Sequence, residues 1–368
     1  MEVKRIPDMP AASSSLRVIE IDPQTDHRWE ALATSISASP TPVYHPDWLK
    51  VLEEIYSYKP AHLACEDTDG QLVGILPLFY RRGWRSGRSF TSVFTGVLAH
   101  NDQSRIALLQ AAIERTRTHT GVQLHLRIMS HPLDALVDGV VGVPAYQTFL
   151  LALPERAELL PLNSSLKRAI NKASKEGVKV RPAETERDLW AWYELYVETM
   201  RKLSVWPKPY RLFELAWKRL HSQGIVRLLL AERIEAGQVK LLSGFFYLMW
   251  GQTISMTTVG WRQEEQALRP NDILHWQAIQ DACTAGFRWY DFGDVELENE
   301  GLARYKSKWG AEAKMVYDYS YPITSSRIDN TQESSKKPTQ QIVQVVRQHL
   351  PIKAIEQLSN LYYAFRLY

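Results

Sequence analysis

The sequence is poor in the features that mark disulfide-rich, zinc-binding and membrane-spanning proteins. It contains two cysteines, Cys65 and Cys283, which lie far apart and lack the spacing of metal ligands. Neither a disulfide framework nor a zinc site is therefore predicted, and no metal is expected. No run of about 18 apolar residues occurs, and the first twenty residues lack an apolar core of signal-peptide length. These absences predict a cytoplasmic protein.

The chain also lacks the short motifs of several large enzyme classes. It has no glycine-rich nucleotide-binding signature, no G-x-S-x-G elbow of serine hydrolases and no H-E-x-x-H run of zinc proteases. Its net charge of +3 is too small to indicate a nucleic-acid-binding protein by itself. Any site for an anionic ligand must therefore come from a local cluster of basic residues.

The composition is that of an ordinary globular protein, and the length of 368 residues favours about two domains. One pattern occurs twice along the chain. A helix, a strand, a Gly-Gln turn and a long apolar strand follow one another in residues 47–79 and again in residues 213–249. The long strand of the first copy is predicted to run unbroken from Leu72 to Phe79. We infer two copies of one α/β unit.

This repeat predicts an α/β fold with mixed sheets, arranged as a first domain over residues 16–155 and a second domain over residues 160–323. A flexible tail is predicted for residues 1–15, and a polar linker for residues 324–341. A helical tail with an apolar face follows over residues 342–368. Docking on the protein's own surface is the favoured interpretation of that tail, and peripheral contact with a membrane surface is the alternative.

The stretch from Trp289 to Gly310 holds the densest set of chemically useful residues. It is predicted to form a strand end, a loop rich in carboxylates and a short helix that begins near Asn299. Leu302, Tyr305 and Trp309 recur at i, i+3 and i+7, so they are predicted to share a buried stripe. Lys306 lies at the edge of that stripe. Such a position suits a ligand site in an α/β fold, while an amphipathic helix with solvated charges is the alternative.

Two further segments carry candidate residues. Arg168, Lys172 and Lys175 recur at i, i+4 and i+7 in a basic helix, and they form one positive face. This face would suit a diphosphate or another polyanion, with a solvated surface as the equally weighted alternative. Asp102 follows the loop of residues 94–101, which ends in a polar cluster, and it is a candidate proton acceptor.

Four pieces of sequence at these positions form a recognisable pattern. In order, they are YHPDWLKVL with GQLVGILPLF, RAINKASKEGVKV, LRPNDILHWQAIQDACTAGFRWYDFG and GLARYKSKWGAE. Over roughly residues 40–322 the pattern resembles the FemAB/FemX-like branch of the GNAT acyltransferase superfamily, which acts in peptidoglycan and exopolysaccharide pathways. The resemblance implies two GNAT-like domains in tandem. It also implies transfer of an acyl or aminoacyl group to a primary amine on a cell-envelope or polysaccharide precursor.

The resemblance also implies roles for individual residues. Tyr305 and Lys306 match an aromatic-lysine pair of the family, and Asp102 matches an aspartate of its first domain. A preorganised positive charge can stabilise the oxyanion that forms when an amine attacks an ester or thioester, and Lys306 is predicted to supply that charge. Asp102 or a carboxylate of the region that begins at Asp291 would accept the proton. The predicted substrate-binding residues are Tyr305, Arg168, Lys172, Trp309 and Asn271.

The donor is left open between acyl-CoA and aminoacyl-tRNA. GNAT domains that bind acetyl-CoA carry a glycine-rich loop, whereas residues 266–271 contain no glycine, and Pro270 removes one N–H donor. The helical arm of some peptidoglycan enzymes has no counterpart between Ala183 and Trp206. Two alternative functions also stay open, namely acetyl-CoA-dependent N-acetylation of an amino sugar or small molecule, and a non-catalytic scaffold in polysaccharide assembly. The cytoplasmic location could include peripheral contact with the inner membrane face.

Overall fold

The structure, a computed structural model, describes residues 16–36, 41–83, 87–92, 96–129, 133, 136–322 and 350–365. The predicted N-terminal tail, the polar linker and the first eight residues of the predicted helical tail lie outside the described residues. Part of the loop before Asp102 lies outside them as well.

The described chain contains fifteen strands. They are β1 (Arg17–Glu20), β2 (Lys59–Pro60), β3 (Leu63–Glu66), β4 (Leu72–Leu76), β5 (Leu78–Gly83), β6 (Gly87–Ser92), β7 (Leu98–Ala99), β8 (Val122–Met129), β9 (Gly142–Ala152), β10 (Lys179–Pro182), β11 (Val226–Glu235), β12 (Gln238–Trp250), β13 (Thr253–Trp261), β14 (Trp289–Glu296) and β15 (Glu312–Tyr321).

The helices lie between these strands and carry the apolar faces that the sequence indicates. They are α1 (Arg28–Ser35), α2 (Pro46–Tyr56), α3 (Asp102–Arg117), α4 (Ser164–Lys175), α5 (Glu186–Lys202), α6 (Tyr210–Ala216), α7 (Pro270–Thr284), α8 (Glu300–Ser307) and α9 (Ile352–Phe365). Local signals set their starts: Thr185 and Asp188 form a capping box at α5, and the Asn299 side chain caps α8.

Most strands belong to one sheet of eleven, in the order β10-β11-β12-β13-β14-β9-β15-β8-β6-β5-β2. Strand β9, from the first half of the chain, lies between β14 and β15 of the second half. Strand β15 in turn pairs with β8 of the first half. The predicted mixed α/β fold is confirmed, and the two halves exchange strands across the predicted domain boundary.

A second sheet, in the order β1-β3-β4-β7, packs against α1 and α3. The prediction of one long strand from Leu72 to Phe79 is wrong, because the segment divides at Pro77 into β4 and β5. Strand β4 belongs to the small sheet and β5 to the large one. Proline has no N–H to give to a ladder, so the chain can leave one sheet at this residue and enter the other.

The large sheet opens between β13 and β14. These parallel strands pair only over residues 253–255 of β13 and residues 289–291 of β14, whereas β14 also pairs with β9 on to Glu296. Gly293 lies just past the last paired residue with a φ of +76°, and a Cβ there would come 2.9 Å from the carbonyl oxygen of Met256. Only glycine fits this backbone without strain. The opening faces the segment that joins α5 to α6.

The C-terminal helix α9 docks on the protein itself. Ile355 is fully buried in a core cluster with the aromatic residues of α5 and α6, and Tyr363 packs against Tyr56 of α2. The favoured prediction for this part of the tail, docking on the protein's own surface, is confirmed. No helix in the described ranges is long and apolar enough to cross a membrane.

Candidate active site

Helix α8 presents its lysine, and not its leucine, to the protein interior. Lys306 is 3% exposed, Trp309 is also buried, and Leu302 is 38% exposed. The predicted buried stripe is therefore wrong for Leu302, because the helix is short and its second turn makes the contact with the sheet. The predicted carboxylate loop is also shorter than expected, since β14 runs on to Glu296 and includes Asp294.

The amino group of Lys306 binds the backbone of β14. Its Nζ donates hydrogen bonds to the carbonyl oxygens of Gly293, at 2.8 Å, and Asp294, at 3.2 Å. It lies 5.9 Å from the centre of the Phe149 ring. Burial lowers the pKa of Lys306 to about 8, against the opposing charges of Asp291 and Asp294. At neutral pH the lysine is thus a buried cation with one N–H beyond the two it gives to β14.

Asp291 is a buried carboxyl group on β14 whose charge favours the protonated form of Lys306, and its own pKa is raised. Its Oδ1 accepts hydrogen bonds from Thr148 Oγ1, at 2.9 Å, and from the backbone N–H of Gly293, at 2.8 Å. The side chain is buried, and desolvation raises the pKa of its carboxyl while these hydrogen bonds lower it. The geometry suits an anchored carboxylate that holds the turn at Gly293 and stabilises the Lys306 charge.

Asp294 differs from Asp291 in being open to solvent. The residue as a whole is exposed, but protein surrounds its carboxyl group. Desolvation, with a smaller contribution from the charge of Asp291, raises the pKa of that carboxyl to about 6. The cations of Arg127, Lys306 and Lys208 oppose this rise. A carboxylate that is accessible and titrates near neutral pH suits a general base.

Lys208 was not among the residues that the sequence predicted. It lies in the segment between α5 and α6, and part of its stem reaches solvent while its amino group is enclosed by protein. The Nζ atom is 3.5 Å from Thr258 Oγ1 on β13, on the far side of the opening from Lys306. Burial lowers its pKa, and the charge of Asp294 opposes the shift. The signal that could have found it is a lysine between two prolines, Pro207 and Pro209.

A separate cavity of about 300 Å³ lies between α4, the start of α7 and α8. The predicted residues Arg168, Lys172 and Tyr305 meet there, although they lie far apart in sequence. Arg269 and Lys308, which were not predicted, also line the cavity, and they bring its cationic side chains to four. Sequence spacing does not place these two residues beside α4, because their position depends on the packing of α4 against α7.

Tyr305 lies between this cavity and the core. Burial and the neighbouring Asp272 carboxylate raise its pKa well above the usual value. Its hydroxyl is buried, and no described residue meets the geometry of a hydrogen bond with it. Burial also raises the pKa of Asp272, the acidic residue of the cavity lining. Helix α8 thus turns Tyr305 towards the cavity and Lys306 towards the opening of the sheet.

The other predicted site residues lie at the edges of this arrangement or away from it. Asn271, in the first turn of α7, accepts a hydrogen bond of 2.7 Å from Ser243 Oγ. Trp309 is buried against Phe292. Asp102 starts α3 in the first half, where its exposed carboxylate pairs with Arg105. No cluster of His, Cys, Asp and Glu side chains in the described part of the chain is arranged to hold a metal ion.

The chain is similar in fold to known proteins. Residues 163–307 match the family described as an acetyltransferase (GNAT) domain. FemX is similar in structure, with a TM-score of 0.68, 15% identity, and coverage of 85% of this chain and 98% of FemX. A search of curated protein sequences gives no match.

Two further solved structures share the fold. L-PGS from Bacillus licheniformis has a TM-score of 0.54 at 10% identity, over 89% of this chain and 98% of L-PGS. A tandem GNAT protein from the clavulanic acid biosynthesis pathway has a TM-score of 0.52 at 13% identity, over 84% of this chain and all of that protein. The expected resemblance is confirmed at the level of the fold: the chain has a tandem GNAT-like α/β fold, its structure is similar to that of FemX, and residues 163–307 match a GNAT domain.

Proposed function

We propose that this protein is an N-acyltransferase that moves an acyl or aminoacyl group to a primary amine on a cell-envelope or polysaccharide precursor. The observation that carries the proposal is the opening between β13 and β14. There the buried cation Lys306, on α8, and the accessible carboxylate Asp294, on β14, lie close together. The match of residues 163–307 to a GNAT acetyltransferase domain supports the reaction class.

The reaction needs a positive group for the oxyanion and an acceptor for the amine proton. The amine nitrogen attacks the carbonyl carbon of an ester or thioester, a C–N bond forms, and negative charge develops on the carbonyl oxygen. The third N–H of Lys306 is assigned to that oxygen. Its other two N–H groups are held by the carbonyls of Gly293 and Asp294, so the charge is oriented before the substrate arrives.

Asp294 is assigned as the proton acceptor. The ammonium proton of the tetrahedral intermediate passes to its carboxylate, the bond from the carbonyl carbon to the donor oxygen or sulfur breaks, and the leaving group takes up the proton. Asp291 acts on Lys306 from beneath as a positioning residue, because Thr148 and the Gly293 N–H already bind its carboxylate. Asp102 is the alternative acceptor that the family resemblance implies.

The cavity beside α8 is assigned to the phosphates of a substrate. Arg168, Lys172, Arg269 and Lys308 line it, and guanidinium and ammonium groups are the usual partners of a diphosphate. These side chains are assigned the role of the glycine-rich loop that binds the pyrophosphate of acetyl-CoA, because residues 266–271 contain no glycine and Pro270 has no N–H to donate. The buried Tyr305 hydroxyl supplies a further polar group at the base of the cavity.

The proposal is tested with purified protein, an acyl-CoA panel, an aminoacyl-tRNA panel and amine acceptors that carry or lack a diphosphate. Amide formation is followed by mass spectrometry, and we expect it with one donor class. Lys306→Met should lower kcat by about 10²- to 10³-fold, the usual cost of losing one oxyanion donor. Full turnover by the Met variant would refute the role of Lys306. A protein that binds the acceptor but transfers no group from either panel would instead be a scaffold.

A further inference from the structure

The C-terminal helix α9, with Leu350 just before it, contacts the end of α5 and the residues that precede Lys208. Just before α9 begins, the carbonyl oxygen of Leu350 accepts a hydrogen bond from the Arg201 guanidinium at the end of α5. Near the end of α9, the Tyr363 hydroxyl donates to the carbonyl oxygen of Trp206, at 3.1 Å. Between these points Ile355 is fully buried. Residues 350–363 therefore contact the chain at Arg201 and at Trp206, two residues before Lys208, although they lie far from both in sequence.

Two tyrosines of α5 fix the backbone of Lys208 itself. The Tyr193 hydroxyl donates to the carbonyl oxygen of Lys208, at 3.1 Å, and the N–H of Lys208 donates to the Tyr196 hydroxyl, at 2.9 Å. Two residues after α5 ends, Ser204 has a φ of +59°, a left-handed conformation that costs energy for a residue with a side chain. The surrounding contacts must therefore hold this segment in place.

The position of the Lys208 amino group also needs support. It is enclosed between β13 and the recess of Asp294, its single described hydrogen bond is long at 3.5 Å, and no carboxylate among the described residues lies within ion-pair distance. An enclosed cation without a close partner is unfavourable, and a lysine stem is flexible enough to turn out to solvent. Without restraint of its backbone, the Lys208 side chain would be more stable in solvent than in the opening.

We propose that α9 is a brace that holds Lys208 in the catalytic opening, and that Tyr363 and Ile355 are positioning residues for the transfer reaction. The inference rests on the proposed function for its catalytic consequence. Asp294 is faced by Asp291, Arg127, Lys306 and Lys208, and of the cations Lys208 is the one carried on a loop. Withdrawal of Lys208 removes a charge that favours the ionised form of the proton acceptor, so transfer would need a higher pH.

The position of Lys208 can be measured without any substrate. Wild type, Tyr363→Phe, Ile355→Ala and the exposed control Gln357→Ala are labelled briefly with acetic anhydride at pH 8 and cleaved at arginine. Residues 202–211 form one peptide that contains Lys202 and Lys208, and fragment ions separate the two lysines. Lys202 is an exposed residue paired with Glu264 at the end of α5, so it is an internal reference in the same peptide.

We expect the Lys208-to-Lys202 labelling ratio to rise about fivefold in Tyr363→Phe, the effect of losing one hydrogen bond, and further in Ile355→Ala. The ratio should stay unchanged in Gln357→Ala. Hydrogen exchange of residues 352–365 shows in parallel whether α9 has loosened. If α9 exchanges faster in both variants while the ratio stays at the wild-type value, the brace does not exist. This result is independent of whether the protein transfers an acyl group.

The catalytic consequence is tested with the active substrate pair. Tyr363→Phe, Lys208→Met and the double variant are compared by kcat/KM as a function of pH. The acid limb should move to higher pH in each single variant, and the double variant should match Lys208→Met, because both changes remove the same charge. A merely structural role of α9 would lower activity without moving the limb. Additive effects in the double variant would also overturn the proposal.

Discussion

The pH dependence of the reaction follows from two groups in the opening of the sheet. Asp294 must be ionised to accept a proton, and its pKa is about 6. Lys306 must be protonated to stabilise the oxyanion, and its pKa is about 8. We therefore predict that kcat/KM follows a bell with apparent limbs near pH 6 and pH 8. About four fifths of the free enzyme would be in the competent form at the maximum near pH 7.

The substitution Asp294→Asn separates this interpretation from titration of the substrate amine. Asparagine keeps the shape of the side chain but cannot take a proton, so the acid limb should disappear. The remaining rate should be lower by about 10²- to 10⁴-fold, the range for loss of a general base. The alkaline limb should remain near pH 8, or fall slightly, because Asp294 favours the charged form of Lys306. The assay is initial-rate amide formation from pH 5 to pH 9.5.

Asp102→Asn is the matched comparison, because it makes the same chemical change at the acceptor that the family resemblance implies. Asp102 is exposed and paired with Arg105, so we expect its variant to keep both limbs. If Asp102→Asn removes the acid limb and Asp294→Asn keeps it, the proton acceptor has been assigned to the wrong half of the chain.

Two further predictions concern binding and stability. Arg168→Ala with Lys172→Ala should raise KM for the phosphate-bearing substrate at least about tenfold and weaken the salt dependence of KM. Lys175→Ala, on the same helix but away from the cavity, should leave KM unchanged. An equal effect of all three substitutions would mean that α4 presents a solvated charged face. Gly293→Ala should lower the free energy of unfolding by about 1 to 3 kcal/mol in urea titration, because φ is +76° and the new Cβ would meet a carbonyl of β13 at 2.9 Å. Gly286, just after α7, has a similar φ but open space around it, so Gly286→Ala is the control. An equal loss in both variants would show that the close contact contributes nothing.

Local signals in the sequence were sufficient to predict the elements around the site. Asn299 is a helix cap, Pro270 suits a first helical turn, and the spacing of Arg168 and Lys172 puts both on one face of α4. The repeat of helix, strand, turn and strand also indicated the fold class. Each of these inferences depends on residues within about one or two turns of each other, where sequence spacing determines geometry.

Contacts between distant elements could not be predicted in the same way. The burial of Lys306 depends on which turn of α8 meets the sheet, and amphipathic spacing selected Leu302 because a lysine normally remains at the surface. Lys208 enters the site because tyrosines of α5 bind its backbone, and nothing in the residues next to it shows this. The insertion of β9 between β14 and β15 likewise depends on long-range pairing.

A bulge in β14 explains the orientation of Lys306. Between Asp291 and Asp294 the pairing of β14 with β9 shifts register, so the strand contains an extra residue at Gly293. A bulge of this kind leaves a carbonyl group outside the ladder, and a carbonyl in a protein interior needs a donor. Lys306 supplies that donor to Gly293 and to the next residue. The bulge in β14 thus creates the acceptors that hold the lysine beside the end of the β13–β14 pairing.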